Sequence, residues 1–389
     1  MSIDNDFSGR VISYPTFTEI SEILSTRFEI LTSAMEFGMP TFLYRWKDGE
    51  VPDIDEQRHV FDDVHNKSDK LKIWPVIRWR NKNEGIYYTR FIPQEKASKS
   101  DVRINYALFI ATLAAIAIGG YMQATSRVFL TLFYPNGWTP WDIAFTTGIF
   151  ILALMGIIGT HEMGHYRMAK KLGIEATPPY FIPGLPQIGG TFGAFIQQKS
   201  PPRDRSSLID LGLAGPYSGF IITLIALVLG FALSVPVTAE QLAAIDATFP
   251  GQSGSLPVPL IFMLVEYFFA DLIPAGGTIY IHPVGFAAWV GCLVTALNLF
   301  PSGQLDGGHA LRAILNEKAH KYIGYGAIAV MFLVGFFTMA ILVLAMSFRG
   351  GHPGALDDTV PVSKSRIILF ILAMIILVIS IPPLGFAIF

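Results

Sequence analysis

An uncharged run of 18 residues, Ile143 to Thr160, ends directly on His161-Glu162-Met163-Gly164-His165, and no other feature narrows the fold as much. A helix rises ~1.5 Å per residue, so about 20 apolar residues cross the hydrocarbon of a bilayer with every backbone group bonded inside the segment. The run therefore predicts a membrane-spanning helix. Positions i and i+4 share a helix face, so both imidazoles can reach one metal ion. Glu162, one residue on, is close enough to act on a water at that metal without being a ligand.

Composition extends the membrane reading to most of the chain. The 389 residues are 52% hydrophobic and 15% charged, which excludes a disordered chain. Residues 1–104 hold 15 of the 28 Lys+Arg and 17 of the 30 Asp+Glu. A cytosolic soluble domain is thus expected over 1–104 and a membrane domain over 105–389. The formal net charge is −2 and no basic stripe is present, so no nucleic-acid partner is expected. Cys292 is the only cysteine, which excludes an intrachain disulfide or a thiolate-rich metal site; its apolar surroundings predict simple packing. Met1 to Arg10 is acidic and lacks an apolar core, so it reads neither as a secretory signal nor as a transit peptide.

Six spans are expected: Tyr106–Tyr121, Asp142 through the histidine pair, Leu211–Val235, Pro283–Phe300, Tyr322–Phe348 and Ile367–Leu384. A further apolar stretch, Leu256–Ile273, carries Glu266 and Asp271 and is taken as re-entrant or interfacial. Lysine and arginine mark the inner side of a membrane. Arg167, Lys170, Lys171, Lys199, Arg203 and Arg205 follow the histidine pair, and Arg312, Lys318 and Lys321 follow the fourth span. Residues 235–281 contain neither lysine nor arginine. The N-terminus and the histidine end of the second span are therefore expected in the cytosol of a prokaryotic plasma membrane. Arg349, Lys364 and Arg366 run against this scheme, which puts them outside.

A second cluster follows the fourth span: Asn298-Leu-Phe-Pro301-Ser-Gly-Gln-Leu-Asp306-Gly307-Gly308-His309. Asp306 supplies what the histidine pair lacks, a third ligand from a separate helix. Catalytic zinc commonly has three protein ligands and one open position. Pro301 ends the regular helix and lets the chain re-aim, and Gly307 and Gly308 permit close backbone packing. Counting residues from the outer face puts both clusters in the inner part of the membrane, where they can meet.

His161-Glu162-Met163-Gly164-His165, the segment Asn298 to Gly308, and Asp210-Leu-Gly-Leu-Ala-Gly-Pro216 together resemble the site-2 protease family of intramembrane zinc metalloproteases. The likeness covers about residues 106–345. It implies a six-helix core, a Zn2+ recessed on the cytosolic side, and cleavage of transmembrane protein substrates within the lipid bilayer. It also implies His161, His165 and Asp306 as ligands, Glu162 as the base, and Asn298 near the reacting carbonyl. The family's proline directly after that asparagine is replaced by Leu299.

A helical substrate must unwind before its carbonyls are accessible. Ile188 to Ile196 mixes glycines with β-prone residues behind the prolines 178, 179, 183 and 186. It predicts a membrane-dipping β segment whose open edge binds substrate through Gly190, Thr191, Phe192, Gly193 and Ala194. The fold class is thus a polytopic α-helical membrane protein of about six transmembrane helices, preceded by a small soluble α+β domain. A non-catalytic zinc-binding membrane protein, pseudoprotease or carrier, is the alternative; the presence of Glu162 favours the protease. A prenyl-protein processing enzyme would carry a glutamate in its second ligand motif, where this chain has Asp306.

In the soluble segment, Thr18–Met35 reads as a helix, Thr41–Trp46 as a strand and Asp55–Asp69 as a second helix. Lys72–Trp79 and Gly85–Ile92 read as a hairpin. No catalytic cluster is visible there, so a regulatory partner, control of substrate access or a stabilising appendage is expected. His309 is expected beside the metal site without binding the ion. His282, His320 and His352 are expected at the interface or in solvent. Gly212, Gly215 and Gly219 are spaced for close helix packing.

Overall fold

The computed structural model describes residues 3–5, 11–13, 15–94, 101–250, 257–348 and 352–382. A short pair, β1 (Ile3–Asn5) and β2 (Val11–Ser13), precedes the N-terminal domain. That domain comprises α1 (Phe17–Ser25), β3 (Phe28–Glu36), β4 (Met39–Trp46), α2 (Ile54–Lys70), β5 (Ile73–Asn81) and β6 (Ile86–Pro93). The strands form an antiparallel sheet in the order β3-β4-β6-β5, with both helices packed on it. Phe28, Phe42, Tyr44, Phe61, Tyr87 and Phe91 are fully buried between the layers.

The expected helix over Thr18–Met35 is corrected: it ends at Ser25, and the rest is β3. Phe28 lies four residues after Leu24 and so continues the helical spacing, yet it also fills the centre of the sheet core. The deciding feature lies downstream. Phe37 and Gly38 both have positive φ, 52° and 74°, and pair Glu36 with Met39. Two successive positive-φ residues make the tight turn that matches the twist of a hairpin, and β3 then gains a full ladder of hydrogen bonds from β4.

The membrane-facing part begins with α3 (Val102–Ala124), α4 (Arg127–Phe133) and α5 (Pro140–Lys171). A hairpin, β7 (Tyr180–Pro183) and β8 (Thr191–Phe195), leads to α6 (Arg205–Ala232). Beyond it come β9 (Val235–Val237), α7 (Ala239–Thr248), α8 (Leu260–Tyr267) and β10 (Thr278–Tyr280). The chain finishes with α9 (Pro283–Leu299), α10 (Asp306–Ile314), α11 (Glu317–Leu333), α12 (Phe337–Phe348) and α13 (Lys364–Ser380). Thr139 caps α5 reciprocally with Asp142, and Pro140 opens its first turn.

Among the described residues, α3, α5 and α6 are long and apolar enough to cross a membrane. α9 and α13, of 17 residues each, lie along α6. α8 has 8 residues, about 12 Å, and is too short to cross. β9 and β10 pair, so the end of α6 and the start of α9 share one side. Leu256, Arg349 and Leu384, which figured in the expected spans and charges, lie outside the described residues.

The expected fifth span, Tyr322–Phe348, is corrected to a helical hairpin. α11 stops before Gly335, whose φ of 92° only glycine adopts readily, and α12 returns beside α11. Both ends reach the same place. His320 and Gly324 near the start of α11 share a cavity with Met346 and Ser347 at the end of α12.

Residues 352–362 therefore run on the same side as the N-terminal domain and act as a strap. Asp357 bridges in parallel to both Ile77 of β5 and Asp204, and Val360 inserts into the N-terminal core. Asp358 takes Arg205 at 2.8 Å and Arg312 of α10 at 2.7 Å. Arg366 pairs with Asp210 at 2.7 Å. Lys364 and Arg366 thus stand at the same end of the helices as Arg205 and Arg312.

Asp358 neutralises Arg312, which is 2% exposed; removing one partner of such a buried pair costs about 3–5 kcal/mol. Asp69 and Arg203 also pair across the junction, but both are more than a third exposed, and such pairs contribute under ~1 kcal/mol. Asp358→Ala should lower the thermal midpoint in detergent by several degrees, and Asp69→Ala should barely move it. Equal shifts would refute this ranking.

Candidate metal centre

The site forms where three helices converge. His161 and His165 project from the C-terminal half of α5, and both are buried, as is Glu162, at 3%, 7% and 4% exposure. Asp306 is the first residue of α10. The chain reverses from α9 to α10 through Pro301 and Gly303, the latter with φ of 57°. A Cβ at Gly307 would collide with the carbonyl of Leu299, and one at Gly308 would lie 2.5 Å from that of Ser302. These two glycines let α10 start hard against the end of α9.

The three donor atoms form a small triangle. His165 Nε2 lies 3.2 Å from His161 Nε2 and 3.1 Å from Asp306 Oδ2. His161 Nε2 lies 3.3 Å from the same oxygen. Donors at ~2.0–2.1 Å around a tetrahedral ion stand roughly 3.3 Å from one another. The triangle therefore matches one face of a zinc-type coordination tetrahedron, with one position left for another group. Among the described residues no other set of histidines, cysteines and carboxylates converges in this way.

The tautomer is set as well. Nδ1 of His165 donates to the carbonyl of Leu211 at 2.9 Å, which leaves Nε2 with a lone pair toward the triangle. Asn298, in the last turn of α9, brings its side-chain nitrogen 3.5 Å from His161 Nε2. Glu162 and Asn298 line a cavity of about 190 Å³ together with the three donors. At ~30 Å³ for each water, it has room for an ion, water and a short stretch of backbone.

β8 supplies another wall of this cavity through Ala194, followed by Phe195 and Ile196. Among the residues expected to hold substrate, Ala194 therefore reaches the cavity. Thr191 is buried and accepts from the backbone N–H of Gly193 at 3.0 Å. Gly190 presses against the backbone of Ala115 on α3, and Gly193 has φ of 99°. Phe192 points outward, at 61% exposure. β8 pairs with β7 alone, so its second edge has no strand partner among the described residues.

The sequence reading gave the glycines of α6 a packing role only. They also form the back wall of the site. A Cβ at Gly215 would overlap the imidazole of His165, and one at Gly219 would lie 3.0 Å from Cβ of His161. Gly212 meets Asp306 and His309 in the same way. Their spacing of three and four residues was the available signal, and only the facing helix gives it meaning. His309 bonds His352 at 2.6 Å and stands outside the donor triangle. His282, His320 and His352 are corrected from interfacial or solvated to buried: His282 caps α9, and His352, at the start of the strap, packs against both His309 and His320.

Two imidazoles on a helix long and apolar enough to cross a membrane, joined by a carboxylate from the short α10, define a helical membrane-type protein with a candidate metal centre. The sequence profile of peptidase family M50 matches residues 149–342, about half of the chain and including every donor. "Probable zinc metalloprotease EGY1, chloroplastic" of Arabidopsis thaliana is 32% identical over 235 residues, 59% of this chain and 42% of that protein. "Probable zinc metalloprotease EGY2, chloroplastic" of Oryza sativa subsp. japonica is 33% identical over 180 residues, 46% of this chain and 31% of that one. The chain thus spans less than half the length of these relatives. No solved structure matches it. The chain belongs to peptidase family M50, the site-2 protease family.

Gly215→Ala should displace His165 and abolish metal retention. Gly159→Ala, two residues before the pair and with nothing within 4 Å of the added carbon, should retain the metal fully. Elemental analysis of the two purified variants checks this, and metal held equally by both would exclude the role given to α6.

Proposed function

We propose that this protein is an intramembrane zinc metalloprotease that hydrolyses peptide bonds within or near transmembrane helices of membrane-protein substrates. The observation that carries the reading is Glu162, a buried carboxylate beside a three-donor metal triangle, inside a helix long enough to cross the bilayer. A charge at that depth is expensive and marks function by default. A carrier would gain nothing from a carboxylate that binds no metal.

When bound, zinc supplies Lewis acidity toward a water and a substrate carbonyl. His161, His165 and Asp306 would hold it, with His165 oriented by the carbonyl of Leu211. Glu162 takes the water's proton as the carbon–oxygen bond forms, then delivers it to the nitrogen as the carbon–nitrogen bond breaks. Asn298 donates to the carbonyl oxygen as charge develops there, a contact worth roughly 3 kcal/mol in known hydrolases. The free edge of β8 holds the unwound substrate in extended form, with main-chain hydrogen bonds replacing those of its helix.

The active site and the N-terminal domain share the side marked by Lys171, Arg203, Arg205 and Arg312. We place that side in the cytosol of a prokaryotic plasma membrane; the relatives named above are chloroplast proteins. The N-terminal domain, with no catalytic cluster of its own, is proposed to serve recognition or control.

The test pairs zinc content with cleavage of a transmembrane peptide in micelles. Glu162→Gln should keep zinc and lose cleavage by at least ~1,000-fold. Asp306→Asn should lose zinc, and Asn298→Ala should keep zinc while cleaving about 100-fold more slowly. Undiminished cleavage by Glu162→Gln would end the proposal.

A further inference from the structure

The strand that walls the metal cavity does not stop at Phe195. Beyond it, Thr177 N–H donates to the carbonyl of Gln197 at 3.0 Å, Ala176 bridges antiparallel to Gln198, and Lys199 N–H donates to Glu175 at 2.7 Å. Residues 191–199 thus form one extended edge, paired along one side with residues 175–183. Ala194, Phe195, Ile196 and Gln198 line the metal cavity. The next residues, Lys199, Ser200 and Pro201, line a second, larger cleft of about 690 Å³, a volume typical of ligand sites. Its opposite wall belongs to the N-terminal domain: His65, Asp69, Lys72, Trp74 and Gln94.

One side chain in that wall has an unmet need. His65 is 2% exposed, and its Nε2 finds no hydrogen-bond partner among the described residues. A buried polar atom left this way costs free energy that a ligand can return. Burial, with Arg203 nearby, pushes the imidazole down to about 3, so it is neutral at physiological pH and suits an uncharged amide. Arg203 is committed to Asp69 at 2.5 Å and Asn66 at 2.8 Å. Lys72 stands exposed at the rim without an ion pair among the described residues.

We propose that this interdomain cleft binds the polar flank of the membrane-protein substrate, held extended as a continuation of the pairing along β8. The inference rests on the peptidase reading and makes the N-terminal domain part of the substrate site. His65 Nε2 bonds a backbone amide of the flank, and Lys72 favours an acidic side chain there. From Phe195 to Ser200 is five residues, roughly 17 Å of extended chain, so the contacted flank lies about five positions from the bond that is cut.

The experiment uses the full-length Glu162→Gln protein, which binds without cutting. The probe is a fluorescent transmembrane peptide in micelles with a ten-residue polar flank carrying Asp at the fifth position, compared with the same peptide lacking the flank. The flank should tighten binding about tenfold. Lys72→Glu should remove most of that gain, and replacing the flank Asp by Lys should restore it in that variant. His65→Phe should weaken flank binding and leave the flankless peptide unaffected. Equal affinity for both peptides, or displacement of the flank by inorganic phosphate alone, would overturn the proposal. Flank-dependent binding to Glu162→Gln with no cleavage by the wild type would keep the cleft and reject the peptidase.

Discussion

The structure depends on the close approach of α5 and α6. Two imidazoles and a carboxylate on a helix that otherwise meets hydrocarbon need polar partners and a wall that excludes lipid. α6 supplies both because it presents no side chains where the rings lie. Gly215 and Gly219 leave the space that His165 and His161 occupy. The backbone one turn before Gly215 offers the carbonyl of Leu211, which sets the tautomer of His165. The approach is reciprocal: a Cβ at Gly164 would sit 2.5 Å from the carbonyl of Ala214, and the hydroxyl of Ser218 reaches back to the carbonyl of Thr160 at 3.0 Å. α10 repeats the device, since Gly307 and Gly308 bring Asp306 near enough to close the triangle. In a bilayer, where lipid competes with apolar packing on equal terms, small residues are what let helices come this near.

What could be read from the sequence followed the range of the interaction. The histidine pair on α5 was legible because i, i+4 spacing is local and a charge-free run sets the helix around it. Asp306 was legible by chemistry, as a third donor at matching depth. β3 was misread because Phe28 fits a helical period and a sheet core equally well, and only the two positive-φ residues at 37 and 38 decide between them. The break at Gly335 was hidden for a different reason. A straight membrane helix and a helical hairpin buried in the bilayer have the same composition, and one glycine among apolar residues does not distinguish them. The warning lay downstream, in Lys364 and Arg366, which stood on the wrong side of a six-span scheme. A charge out of place was evidence about topology.

The strap was beyond the reach of any local pattern, because its partners lie far away in sequence: Ile77 on one side and Asp204 on the other. Its position explains why the hairpin turns back. A single crossing by residues 322–348 would have delivered residues 352–362 to the opposite face, leaving β5 with an open edge and Arg312 buried without a counter-charge. Turning back places Asp358 between Arg205 and Arg312, and His352 against His309.

α10 is thereby held from two directions. Its first residue joins the metal triangle, and its last turn is tied by Arg312 to a segment whose Val360 belongs to the N-terminal core. A helix of nine residues has too few backbone bonds of its own to be stable in isolation, so its position is set by these tertiary contacts. One sheet edge, one strap and one short helix thus connect the N-terminal domain to the donor triangle.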